Sequence, residues 1–183
     1  CNSIESFNTP FNNGTMSESA ERGWLLFTSD RLRCFNCHAG PNFNQTPDKE
    51  GPEGNYANIG LYHADTTGAY PIHDQGLIAL TKQSADMGKF RTPTLRNLAF
   101  TAPYFHDGSV QTLEEVIEIY DRGGRNWNGT LAAGDGKENP YKNPDIQALN
   151  LSTEEEADLI AFLMSLNDTS LLTNPQYANP FQY

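Results

Sequence analysis

Cys34-Phe35-Asn36-Cys37-His38 is the stretch on which the reading of the whole chain turns. Two thiols three positions apart can each add to one vinyl group of a haem. The residue that follows then lies beneath the iron, where its imidazole becomes an axial ligand. The spacing predicts one covalent haem c on Cys34 and Cys37, with His38 as proximal ligand. Two other chemistries use the same residue types. A tetrahedral zinc site needs further Cys or His ligands, and the remaining histidines, His63, His73 and His106, are unpaired in sequence. A thioredoxin-like dithiol wants a strand before it and a helix after it. Here a helical pattern precedes and Ala39-Gly40-Pro41 follows, so the haem reading is preferred to both.

Working outward, Ser17 to Phe27 is rich in helix formers and ends in Trp24-Leu25-Leu26-Phe27, which predicts a helix. Two further helices carry their own start signals. Thr112-Leu113-Glu114-Glu115 is a capping box; it opens a helix whose Leu113, Val116, Ile117 and Tyr120 share one face and which Gly123-Gly124 ends. Ser152-Thr153-Glu154-Glu155 is a second box, and its helix turns Leu159, Phe162, Leu163 and Leu166 towards a core. Residues 39–90 and 124–150 are rich in Gly, Pro, Asn and Asp and read as irregular, with short strands expected around Tyr56–Tyr62 and Leu77–Leu80. Irregular stretches of that length usually wrap something. The fold class is thus mainly α: a cytochrome c-like haem domain with long irregular loops and little strand. Its expected organisation is a lead-in or linker over 1–16, the c-type haem domain over 17–168 and a surface tail over 169–183.

A length of 183 residues suits one domain with a real core, and 11% aromatic content argues against disorder. No run of 18 apolar residues is present, so no transmembrane helix is expected. The 12 Lys and Arg against 23 Asp and Glu leave a net charge of −11, which argues against nucleic acid and favours a basic partner. Three cysteines cannot all pair, so no disulfide framework is expected. Cys1 is read as simply where the chain begins, with a lipid-bearing N-terminus as the alternative.

Spacing alone leaves the sixth haem ligand open among Met16, Met87, Met164, the three other histidines and a tyrosine. Each methionine taken singly reads more simply as core filler.

At this point the run Met87-Gly88-Lys89-Phe90-Arg91-Thr92-Pro93-Thr94-Leu95-Arg96-Asn97, followed by Thr101-Ala102-Pro103-Tyr104-Phe105-His106-Asp107-Gly108, resembles the C-terminal haem domain of bacterial di-haem cytochrome c peroxidases. So do Asn58–Leu61, Gly68–Pro71, Asp74–Leu77 and Glu156–Leu163, and the likeness covers roughly residues 17–168. That family carries two Cys-x-x-Cys-His motifs, whereas this chain has one. The resemblance implies a second haem domain or chain as partner, either upstream in a longer protein or absent from a true single-haem relative. The family's sixth-ligand position falls on Tyr120. This places the chain closest to the MauG-type enzymes and those of methanobactin operons, which are similar in using tyrosine there. A phenolate favours ferric iron. The same resemblance matches Arg91 and Arg96 to arginines near the haem propionates, and Thr101 and Pro103 to carbonyl ligands of a calcium ion. His106 is read as a haem neighbour or as merely structural, with the structural reading preferred, and Trp24 and Trp127 as packing rather than electron carriers.

The function implied is a c-type haem domain of a di-haem peroxidase or peroxide-dependent oxidase. It would hold or relay oxidising equivalents to a partner haem, with hydrogen peroxide and a small redox protein or protein substrate as partners. The alternative is a stand-alone monohaem electron-transfer protein. Covalent haem attachment implies a bacterial periplasmic location.

Overall fold

The computed structural model describes residues 6–45, 55–129 and 132–177; Cys1 and the last six residues of the expected tail lie outside them. Within this frame the protein is mainly helical, with four two-residue strands. A one-turn helix, α1 (Pro10–Asn13), leads into α2 (Glu18–Phe27). Strand β1 (Tyr56–Ala57) and the short α3 (Ile78–Thr81) precede β2 (Phe90–Arg91). Then come α4 (Leu113–Arg122), β3 (Asn126–Trp127), β4 (Gly134–Asp135), α5 (Thr153–Met164) and α6 (Ser170–Thr173). β1 pairs antiparallel with β2, and β3 with β4.

The local signals set the helix ends. Ser17 caps α2 by accepting from the Ala20 N–H. Both capping boxes close: Glu115 N–H donates to Thr112 Oγ1 at 3.2 Å, and Glu155 N–H to Ser152 Oγ at 3.2 Å. In each box the Glu carboxylate accepts in return from the cap's own N–H. Gly123 ends α4 at φ 79°, a left-handed conformation that glycine adopts without steric cost. The strand expected around Leu77–Leu80 is instead the single helical turn of α3, with Leu80 exposed. A four-residue apolar run fixes neither period, and Gly76 in the left-handed region turns the chain into a helical start. Of Tyr56–Tyr62, only Tyr56 and Ala57 are in a strand.

Two cores result. The larger is built where α2 meets α5, so closely that a Cβ on Gly23 would lie 1.9 Å from the Asp158 carbonyl oxygen. Phe162 is fully buried there, with the Phe27, Trp24, Phe11 and Phe43 rings 5.0 to 6.0 Å away. Phe11 belongs to the expected lead-in, yet it packs into this core, and Thr9 beside it is fully buried. Asn8 N–H also donates to the Asp168 carboxylate. The smaller core gathers Leu61, Tyr62 and Tyr70 from the irregular region.

Replacing Gly23 with alanine would force two backbones apart, so Gly23→Ala should cost about 3 kcal/mol or more, at the upper end of overpacking losses. The exposed Glu21→Ala should stay within about 0.5 kcal/mol, with urea unfolding as the measurement. Arg22 and Ser19 hold the Asp158 carboxyl below the usual carboxylate range. Its contribution is therefore complete above that range and is lost as pH falls through the depressed native value. Asp158→Asn should flatten the acid limb of the stability–pH curve; an unchanged limb would rule the pair out as its source.

Candidate functional site: an apolar cavity behind Cys34, Cys37 and His38

Arg33, in the left-handed region at φ 57°, swings the chain into a short 3-10 turn over Cys34–Asn36. The Cys37 and His38 N–H groups both donate to the Cys34 carbonyl, which draws the two thiols and the imidazole to one side. The next loop closes on itself through reciprocal backbone bonds between Ala39 and Gln45. Phe43, also left-handed at φ 53°, points its carbonyl back at His38 Nδ1, 2.8 Å away. A carbonyl only accepts, so Nδ1 carries the proton and Nε2 keeps its lone pair. Burial pushes the His38 pKa down, against the Phe43 bond that raises it, and the ring stays neutral. Burial pushes the Cys34 thiol up to about 12.

All three side chains line a cavity of about 520 Å³ between α4, α5 and the loops. The whole expected face of α4 (Leu113, Val116, Ile117, Tyr120) lines it, as do Leu159 and Leu163 of α5. Tyr120 stands on the last turn of α4, and its hydroxyl has no hydrogen-bond partner among the described residues. Burial, reinforced by the nearby Cys37 and Cys34 sulfurs, holds that phenol well above the ordinary tyrosine range.

The other expected residues also reach this cavity, in different states. Arg91 is exposed at its edge. Arg96 is 6% exposed. Its Nε donates to Pro41 O, and its Nη1 to Ser6 O and Asn12 Oδ1. Burial lowers the Arg96 pKa, opposed by Asp168. No carboxylate forms an ion pair with Arg96 among the described residues, so its charge is available to an acidic group. Thr101 and Pro103 sit exposed on the rim. No group of three or more His, Cys, Asp or Glu that could hold a metal occurs among the described residues.

The structure separates the methionines from the cavity. Met16 packs against the larger core and Met87 against the smaller, while Met164 is 45% exposed and accepts at sulfur from Asn167. His63 is buried away from the cavity and His73 lines a shallower second pocket. His106 reaches the cavity, the less favoured of the two places expected for it. It stacks on Phe90 with centroids 3.4 Å apart, and bonds Asp74 at 2.8 Å. Its position three residues beyond Pro103, in a matched motif, was the available signal.

These residues fit a haem. A flat, mainly apolar cofactor with two acidic arms needs apolar walls, two neighbouring thiols, a lone-pair nitrogen, and a buried cation free of carboxylates. The cavity offers all of them.

No protein-family profile matches the chain. It is 33% identical over 190 residues to the cytochrome c peroxidase IdrP1 of Denitromonas iodatirespirans, covering 92% of this chain and 45% of that one. It is 30% identical over 157 residues to the methylamine utilization protein MauG of Methylophilus methylotrophus, covering 85% and 39%. Among solved structures, a MauG-like protein associated with microbial copper homeostasis superposes with a TM-score of 0.89 at 40% identity, covering 97% of this chain and 53% of that one. The di-haem peroxidase BthA of Burkholderia thailandensis shares the fold, with a TM-score of 0.60 at 20% identity over 89% of this chain and 46% of that one. The chain spans about half the length of the relatives it matches.

Because Arg96 ties Ser6 and Asn12 to the Pro41 loop, Arg96→Ala should cost about 2–4 kcal/mol through unsatisfied buried groups and lost packing. The exposed Arg91→Ala should cost under about 0.5 kcal/mol. Denaturant unfolding of the two variants side by side measures the difference.

Proposed function

We propose that this relative of the bacterial di-haem cytochrome c peroxidases and MauG proteins is the C-terminal, haem c-bearing part of a peroxidase or peroxide-dependent oxidase of the MauG type. The observation that carries the reading is the convergence of Cys34, Cys37, His38 and Tyr120 on one cavity. Cys34 and Cys37 would hold one haem through thioethers, and His38 Nε2 and Tyr120 Oη would be the donors available to its iron. A bound haem supplies reversible one-electron chemistry at its iron.

The remaining roles belong to the chain. The Phe43 carbonyl fixes the His38 tautomer and ring orientation, the usual office of an outer hydrogen bond to a metal-ligating histidine. Tyr120 keeps its Oη proton while burial and the thiols oppose ionisation, and releases it when a cation faces it. An anionic oxygen donor favours the ferric state and a low potential, which suits holding an oxidising equivalent better than passing electrons at high potential. The α4 and α5 side chains exclude water, and Arg96 with Arg91 would meet the acidic arms.

Thr101 and Pro103 offer carbonyl oxygens to a calcium ion whose further ligands would come from outside the described residues. The partners would be a second haem domain, hydrogen peroxide, and a small redox protein or protein substrate, a basic one being favoured by the −11 charge. The location proposed is the bacterial periplasm, where c-type haem is attached. No helix among the described residues is long and apolar enough to cross a membrane. No observation favours the stand-alone electron-transfer alternative.

The intact mass of the loaded protein should exceed that of the bare chain by one haem. Cys34→Ala should leave the haem attached through Cys37 alone, with one vinyl group unreacted and the pyridine haemochrome band moved to longer wavelength. Tyr120→Phe should keep the covalent haem while changing the ferric spin state in its absorption spectrum. An unchanged spectrum would remove Tyr120 from the iron.

A further inference from the structure

From the cavity wall a short row of aromatic rings leads into the smaller core. Tyr70 lines the cavity and is 3% exposed. Its ring centroid lies 5.3 Å from that of Tyr62, which is 6.2 Å from Trp127; both pairs are edge-on. The Arg125 guanidinium sits 4.5 Å over both the Tyr62 and Trp127 rings. Arg125 is 6% exposed and pairs with Asp107 at 3.3 Å. Close packing continues at Gly129, where an added Cβ would fall 2.4 Å from the Trp127 indole.

The hydroxyl partners distinguish these rings. Tyr70 donates to the amide oxygen of Asn58 at 2.8 Å, and Tyr104 to the Leu98 carbonyl at 2.9 Å. Amide oxygens are very weak bases and cannot keep a phenol proton. Tyr62 donates to Asp107 Oδ2 at 2.8 Å, and it is the one tyrosine among the described residues that donates to a carboxylate. Burial alone would raise the Asp107 pKa, but hydrogen bonds from Ser109 and Tyr62, with the Arg125 charge, outweigh it and keep the carboxylate ionised.

We propose that Tyr62 is a proton-coupled redox site wired to the cavity through Tyr70. One electron leaves the Tyr62 phenol by way of the Tyr70 ring and reduces a one-electron oxidant held in the cavity. The Tyr62 O–H bond breaks and its proton forms a new O–H bond on Asp107 Oδ2, leaving a neutral phenoxyl radical beside a neutral acid. Returning the electron reverses both transfers. The Arg125 charge disfavours a cation on either ring that it covers, so oxidation without proton loss is penalised at both Tyr62 and Trp127. Tyr62 has its proton acceptor already in place at Asp107 Oδ2, 2.8 Å away. The site itself rests on this geometry alone. Its natural oxidant, a peroxide-oxidised haem, rests on the function proposed for the chain.

The test supplies its own oxidant. The haem-loaded protein is oxidised with photogenerated tris(bipyridine)ruthenium(III), frozen and examined by electron paramagnetic resonance, with 3-fluorotyrosine placed specifically at position 62. This near-isosteric replacement preserves the fold and adds a fluorine hyperfine splitting if the radical resides there. The expected result is a tyrosyl signal with that splitting. Asp107→Asn should lower its yield on the order of a hundredfold, the usual worth of a positioned proton acceptor. A tyrosyl or tryptophanyl signal without fluorine splitting, no signal, or an undiminished yield in Asp107→Asn would overturn the proposal; a purely structural network would give one of these. A split signal with ruthenium but none with peroxide would keep the site and reject the peroxide-driven function.

Discussion

The fold is organised around apolar surface that turns inward without meeting other protein surface. α2 and α5 pack directly, down to backbone contact at Gly23, while α4 meets α5 in the larger core and both helices also line the cavity. Residues such as Leu113, Ile117, Leu159 and Leu163 therefore serve two neighbours, the core behind them and the group the cavity is shaped to receive. Binding and folding are coupled in the same side chains.

Charge placement follows from that constraint. Where apolar walls surround a site, each polar group near it must be satisfied or reserved. His38 Nδ1 is satisfied by Phe43, which leaves one nitrogen for ligation. Arg96 spends its bonds on backbone carbonyls and Asn12, keeping its charge unpaired by carboxylates. Arg125, deeper in, is neutralised by Asp107 and covered by two rings. The two buried arginines thus differ in kind: one reserves its charge at the cavity, the other locks a network behind it.

The parts of this arrangement readable in the sequence are those with local causes. The capping boxes at Thr112 and Ser152, the α4 face and the Cys-x-x-Cys-His run each depend on residues within a few positions of one another. The family resemblance added Tyr120, Arg91, Arg96, Thr101 and Pro103, all of which the structure brings to one cavity. What stayed hidden depends on long-range contact. Phe11 and Thr9 looked like a linker because nothing nearby in sequence shows their burial; the ring partners of Phe11 are Trp24, Phe43 and Phe162. The α3 turn was misread because four apolar residues carry no decisive period. The joining of Tyr62, Asp107 and Arg125 spans more than sixty residues of irregular chain, where no periodicity operates.

The central claim is that His38 and Tyr120 face each other across a haem held by Cys34 and Cys37. A crystal structure of the haem-loaded protein tests it most directly. The account predicts His38 Nε2 and Tyr120 Oη at bonding distance on opposite sides of the iron, with the His38 Nδ1 bond to Phe43 retained. A methionine sulfur at bonding distance in place of the Tyr120 oxygen would contradict it.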